Sequence, residues 1–328
     1  MTPPRTLRNL GRAVRQALAR PADNGTPFAP LDLSGLIAEP PRLRDTVVIE
    51  APALSAVPVT GPAVVGFTAF LDGTQTSHVV DYAGTVPVVA GRTAAVVRIR
   101  VDRRLTTWGD GARTDVRLYA PVQLLPERVR TDLEAAGLSI RDTLRPNEDV
   151  SAHPIELMRR AVDAVKDDRE VLERELAELW SATMSAPLYV DGGLPSGARA
   201  SVSPWCVGVV KSHHTIYVPA GGLPLVMGLR EGERTTATLI DRTWGPQVVS
   251  WYLRLREPPS HDPFLGLVRV EVARTSGLEE RDALAHRADE VSRWILAERA
   301  PLSLPDARWD RMVYGIRDCE EYLRATTG

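Results

Sequence analysis

Two aspartates in this 328-residue chain stand directly behind apolar runs and directly before glycine. Asp72 lies in Phe70-Leu71-Asp72-Gly73-Thr74 and Asp191 in Tyr189-Val190-Asp191-Gly192-Gly193. An acid placed where a buried strand ends projects into the crevice at the sheet edge, and the glycine lets the backbone turn and a substrate approach. Two such acids on neighbouring strands can share divalent cations. Mg2+ and Mn2+ take hard oxygen ligands and keep several waters, so two or three carboxylates and the phosphates of a substrate suffice to hold them. Taken singly, each Asp-Gly also reads as an ordinary turn.

A helix between the two acids can supply a third. Over residues 154–180 the apolar positions Ile155, Met158, Val162, Val165, Leu172, Leu176 and Leu179 recur at helical spacing, with proline at the start, where it is tolerated. Glu173 lies about 65° from the centre of that stripe and Glu175 about 95° away on its other side, which leaves both open as the third acid. Glu170 and Glu178 point further into solvent. Lys211 closes an apolar run, Cys206-Val-Gly-Val-Val210. The 40 basic residues comprise two lysines, Lys166 and Lys211, and 38 arginines, so each lysine retained in so arginine-biased a chain invites a question about its role.

The elements that must carry these residues read as an α/β protein. Residues 21–45 are rich in Pro, Gly and Ala and predict an arm. The apolar run 63–71 predicts a buried strand ending at Asp72-Gly73. Residues 78–82 and 88–101 predict two more strands around a turn at Ala83-Gly84, giving an antiparallel meander. A helix fits 126–137. After the long helix come strands over 186–190 and 205–210, a strand pair over 247–255 and 265–272, and helices over 278–298 and 309–324.

Composition bounds the class. With 44% hydrophobic and 25% charged residues, disordered and collagen-like chains are excluded, and no apolar run reaches the length of a membrane span. A net charge of −2 argues against coating nucleic acid by bulk charge, while leaving room for a local basic groove. Cys206 and Cys319 form no CxxC or zinc spacing, which points to a reducing, cytoplasmic setting. Near the amino terminus Arg5, Arg8, Arg12, Arg15 and Arg20 alternate with Leu7, Leu10, Val14 and Leu18 at helical spacing, an amphipathic helix suited to packing on the domain or on a partner.

In order, three meandering strands with an acid, a helix carrying glutamates, a strand ending in aspartate and a terminal helix with more acids make the plan of the ribonuclease H-like fold. Phe70-Leu-Asp-Gly-Thr74, Tyr189-Val-Asp-Gly-Gly-Leu194 and Cys206-Val-Gly-Val-Val-Lys211 resemble motifs of the NurA nuclease family, and Trp251-Tyr-Leu-Arg-Leu255 and Leu267-Val-Arg-Val-Glu271 are similar to its later paired strands. The resemblance covers roughly residues 60–325. With the amino-terminal helix and linker forming an arm over 1–45, the expected nuclease domain spans 46–328. The implied protein is a Mn2+- or Mg2+-dependent DNA nuclease, dimeric, working with a hexameric HerA-type ATPase in DNA-end processing or antiviral defence.

Residue by residue, the resemblance implies Asp72, Glu173 or Glu175, and Asp191 as metal-binding acids. It implies Lys211 as a phosphate contact and Tyr314 as the tyrosine of the last motif. There the chain departs from the family: Tyr322 stands where a histidine is expected eight residues on, and Gly315 stands where proline follows the tyrosine. Asp318, Glu320 and Glu321 nearby are candidates for the last metal ligand, Glu320 first among them, and His286 is another candidate that lies in the wrong order. The departure also admits a catalytically reduced module that regulates the ATPase without cutting. Arg254 and Arg269 are candidates to line a DNA channel, and Trp205, Trp244 or Trp251 to stack on bases. His213 and His214, adjacent on an extended chain, point to opposite faces and do not share an ion.

Overall fold

The computed structural model describes residues 7–18, 40–102, 104–144, 152–242, 245–257, 263–278, 280–299 and 313–327. Along the chain these form α1 (Leu7–Ala17), β1 (Arg42–Arg44), β2 (Val47–Val48), β3 (Ala56–Pro58), β4 (Ala69–Ala83), β5 (Val86–Val101), β6 (Arg104–Thr107) and β7 (Arg113–Ala120). Next come α2 (Glu127–Ala135), β8 (Ile140–Asp142), α3 (Pro154–Thr183), β9 (Leu188–Asp191), β10 (Cys206–Val210), β11 (Thr215–Tyr217) and α4 (Leu223–Met227). The chain continues through β12 (Glu233–Thr235), β13 (Thr238–Ile240), β14 (Val248–Arg254), β15 (Leu267–Ala273), α5 (Arg281–Glu298) and α6 (Tyr314–Thr327).

One large mixed sheet organises the molecule, in the order β2-β13-β14-β15-β10-β9-β4-β5-β7-β8. At its centre β4, β5 and β7 are successive antiparallel strands, while β9 lies parallel to β4 and β10 parallel to β9. Numbering those five strands by sequence gives 3-2-1-4-5, the ribonuclease H-like order. β15 and β14 then extend the sheet antiparallel to β10.

Both faces of the sheet are covered, so its middle strands are apolar on both sides, as buried strands must be. On one face α3 packs Leu176, Ala177 and Trp180 against Leu71, Val97, Leu188 and Val190. On the other, α5 and α6 bring Val291, Ile295, Ile316, Cys319 and Leu323 onto Phe70, Val96, Tyr189 and Val207. Gly315 of α6 seats directly against the Phe70 ring, which occupies the space a Cβ would need, and the Cys319 thiol donates to the Phe70 carbonyl at 3.4 Å. On α1, Leu10 and Val14 are buried with Val80, Ala83 and Val88 of the hairpin, so its apolar stripe packs on the domain. Most of the expected arm lies outside the described residues, and its end forms β1, parallel to β11.

Two readings of the sequence need correction. The strand expected over 63–71 begins only at Ala69, residues 63–68 being irregular, and it runs on through 78–82 as one strand, β4, so that Asp72 lies within it rather than past its end. Gly73 does not turn the chain, because Thr74, Gln75 and Thr76 keep pairing with Ala94, Thr93 and Arg92. The turn falls where Ala83-Gly84 placed it, with Gly84 at φ 67°. Of the expected terminal helix over 309–324, residues 309–312 lie outside the described residues, Val313 forms an isolated bridge, and α6 runs from Tyr314 to Thr327.

Candidate active site

The register brings the two aspartates together. Phe70 pairs with Tyr189 and Leu71 with Val190, so the next residues of the parallel strands, Asp72 and Asp191, stand side by side. By alternation they share the face of Phe70 and Tyr189, the face covered by α6. Asp191 pairs in turn with Val209 of β10, and Lys211, two residues on, emerges on that same face. Its Nζ lies 2.7 Å from Asp191 Oδ2.

α3 delivers Glu173 from the opposite side. Its carboxyl lies directly over Gly73, where any Cβ would collide with it, so this glycine serves a close approach. Gly73→Ala should therefore push Glu173 out of place. The expected result is Mn2+ affinity lowered by about 10–100-fold by calorimetry, with the fold retained, as for a lost supporting contact; wild-type affinity in the variant would remove Glu173 from the site.

Asp72, Asp191, Lys211 and Glu320 of α6 line one cavity of about 540 Å3, together with Lys166, Arg169 and Arg324. Asp72 is 5% exposed, and its Oδ1 accepts the Gly73 N–H at 2.8 Å. Burial, reinforced by the charges of Asp191, Glu173 and Glu320 and opposed by Lys211, holds its pKa well above the usual carboxylate range. The other three acids each carry a basic partner. Lys211 sits on Asp191, Arg169 bonds Glu173, and Arg324 lies 3.1 Å from Glu320. Among the described residues no basic side chain lies within salt-bridge distance of Asp72.

Burial pushes the Glu173 pKa up to about 7, against the opposing pull of Arg169. From pH 4.5, the ordinary value for a glutamate, up to about 7, the unfolded chain has released this proton while the folded chain still holds it. Stability of the metal-free protein therefore falls as pH rises through that window, by about 3 kcal/mol. Urea melts in EDTA across the window check this, and Glu173→Gln should flatten the slope.

The turn after Asp191 is held from β15. Glu271, 3% exposed, accepts the Leu194 N–H at 2.9 Å and pairs with Arg269 at 2.9 Å and Arg242 at 2.7 Å. Burial alone would raise its pKa, but Arg269 and Arg242 keep it below the usual value.

Several candidate residues lie elsewhere. Glu175 is half exposed and pairs with Arg113 at 2.8 Å, on the rim of a different cavity, because two residues along a helix swing about 200° from Glu173. Tyr314 is 62% exposed at the start of α6, whose contributions to the cavity are Glu320 and Arg324. Arg254 and Arg269 do not line a channel. Arg254 is fully buried, donating to the carbonyls of Leu229, Pro263, Leu265 and Met227, and Arg269 is tied to Glu271 and the Thr215 carbonyl. Trp251 is buried, with its N–H on Ser292; Trp244 lies outside the described residues. Trp205 is partly exposed, and His213 bonds the Leu267 carbonyl and stacks on Phe264. Glu178 does not face solvent freely but accepts the N–H groups of Arg199 and Ala200.

Arg169 and Arg324 are the cavity residues that sequence reasoning passed over. Their spacing, each four residues from a glutamate on the same helix, was the available signal.

The donor set suits a hard divalent cation: all four acids offer carboxylate oxygens, and Asp72 is a buried acid in excess of its basic neighbours. Among the described residues no three acid, histidine or cysteine side chains converge as a ready-made metal group.

No protein-family model matches the sequence, and no curated protein matches it. Among solved structures, the NurA nuclease from Sulfolobus solfataricus aligns over 85% of this chain and 85% of its own, with 12% identity and a TM-score of 0.40.

Proposed function

We propose that this chain is a divalent-metal-dependent deoxyribonuclease. The observation that carries the reading is the floor of the cavity: Asp72 beside Asp191 on adjacent strands of a ribonuclease H-like sheet, with Glu320 of one flanking helix on the same wall and Glu173 of the other close behind Gly73. Asp72, Asp191, Glu173 and Glu320 would hold Mn2+ or Mg2+, which when bound activates water and offsets charge on the scissile phosphate. Lys211 holds a phosphate oxygen as a point charge, and Gly73 keeps Glu173 close to Asp72. Glu271 fixes the turn that follows Asp191.

The motif resemblance extends the reading to DNA-end processing or antiviral defence in the cytoplasm, as a homodimer coupled to a HerA-type hexameric ATPase. Among the described residues no helix is long and apolar enough to cross a membrane. A second reading, a module that occupies the ATPase ring without cutting, is favoured by the absence of a convergent ligand group among the described residues and by Tyr322. That ring, at the position of the expected histidine, lies 4.6 Å beneath the Arg98 guanidinium.

A Mn2+ nuclease assay on single- and double-stranded DNA separates the two. The wild type should cut, and Asp191→Ala should not. Cleavage surviving that substitution overturns the site, and no cleavage by the wild type even with its ATPase favours the module.

A further inference from the structure

The cavity is neutralised from within. Two of the three acids that line it hold a base, Asp191 holding Lys211 and Glu320 holding Arg324, and a third lining base, Arg169, is held by Glu173 just behind Gly73. Arg169 and Glu173 are one turn apart on α3, and Glu320 and Arg324 one turn apart on α6; α6 presents both its acid and its base to the cavity, while α3 presents Arg169, whose partner Glu173 lies behind Gly73 of the cavity wall. A base already seated on a carboxylate offers little to a phosphate, since the anion would have to displace an equal charge.

We propose that Arg169 and Arg324 are DNA phosphate ligands held in reserve. Together with Lys211, each exchanges its carboxylate for a phosphate when that carboxylate binds a divalent cation. The proposal rests on the metal-dependent nuclease reading and adds the residues and the order of events. Both arginines border the cavity: the Arg324 side chain is 69% exposed, and Arg169, 20% exposed, bonds Gln75 Oε1 of the cavity wall at 3.0 Å and lies 3.6 Å from Glu170. The guanidinium fork matches a phosphate in two hydrogen bonds, as it matches a carboxylate. Exchange makes metal and DNA binding reciprocal: each ligand tightens the other.

Lys166 supplies the contrast. It lines the same cavity one turn outward from Arg169, 3.9 Å from Glu170 and not on an acid of the floor. Its contribution to DNA binding is therefore independent of metal.

The test is fluorescence anisotropy with a cleavage-resistant phosphorothioate single strand, in EDTA and in Mn2+, beside Mn2+ calorimetry without DNA. Mn2+ should tighten wild-type binding by about tenfold or more. Arg169→Gln with Arg324→Gln should lose most of that gain, keep the EDTA affinity, and bind Mn2+ alone at least as tightly as wild type. In Mn2+ the salt slope should fall by about 0.7 for each arginine removed. Lys166→Gln should weaken binding equally in both conditions. Arg324→Gln alone, at an exposed position, repeats the test with about half the loss if the double variant folds poorly. Equal losses in EDTA and Mn2+, or a full gain in the double variant, overturn the exchange. Normal Mn2+ binding by the wild type with no gain in DNA affinity overturns the exchange alone; no Mn2+ binding overturns it together with the nuclease reading.

Discussion

Asp72→Asn is expected to abolish cleavage while making the metal-free protein more stable. The two effects have one cause. Asp72 is buried among three other carboxylates, so its ionisation is opposed by burial first and by Asp191 next. Asparagine keeps the shape and removes the charge, and the melting temperature in EDTA should rise. The same change deletes the central donor for the cation. Losing several kcal/mol of charge stabilisation in the transition state lowers the cleavage rate by about a thousandfold or more. Mn2+ should raise the melting temperature of the wild type by mass action and leave that of the variant nearly unmoved. Thermal melts with and without Mn2+, paired with a cleavage assay, check all three parts. A variant less stable than wild type in EDTA would mean that Asp72 is held by contacts rather than strained by its neighbours.

Arg254→Leu should produce the largest loss of stability among the arginine variants, and no change in how the folded protein responds to salt when binding DNA. The guanidinium is fully buried and joins two segments, the end of α4 through the carbonyls of Met227 and Leu229 and the run before β15 through those of Pro263 and Leu265. Leucine fills part of the volume but leaves those carbonyls without their donor, costing about 3–5 kcal/mol. Denaturant melts measure the loss. Anisotropy at several salt concentrations, below the melting range, reads the second part. A shallower salt slope in Arg254→Leu would return this residue to a DNA channel.

The contrast between these two residues shows what the sequence made legible. Asp72 and Asp191 were recognisable because each follows an apolar run, and the pairing of Leu71 with Val190 then makes neighbours of residues far apart in the chain. The helix of Glu173 was visible in its apolar period, which put Glu173 and Glu175 on opposite flanks of the stripe but gave no means to choose. The choice depends on Gly73, whose missing side chain admits one carboxyl and not the other. The antiparallel meander was legible in outline, although Asp72-Gly73 reads as a strand end when taken alone. The continuation of β4 depends on β5, a long-range partner.

Arginine proved the least legible residue type. Arg254 and Arg269 alternate with apolar residues on their strands as surface residues do, yet both faces of that part of the sheet are covered. What decides their role is the ring of carbonyls and the Glu271 carboxylate around them. Arg169 and Arg324 carry the opposite lesson: the arginine of a helical pair with glutamate, ordinarily read as surface decoration, here lines the cavity.

The seating of Gly315 against Phe70 has an evolutionary consequence. Residue 70 precedes the first aspartate by two positions, and residue 315 opens the helix that carries Glu320, so one shared volume joins the two halves of the acidic floor. Bulk at one position can be accepted only where it is surrendered at the other. Relatives with a larger residue at 315 should carry a smaller one at 70, and the two positions should be inherited together.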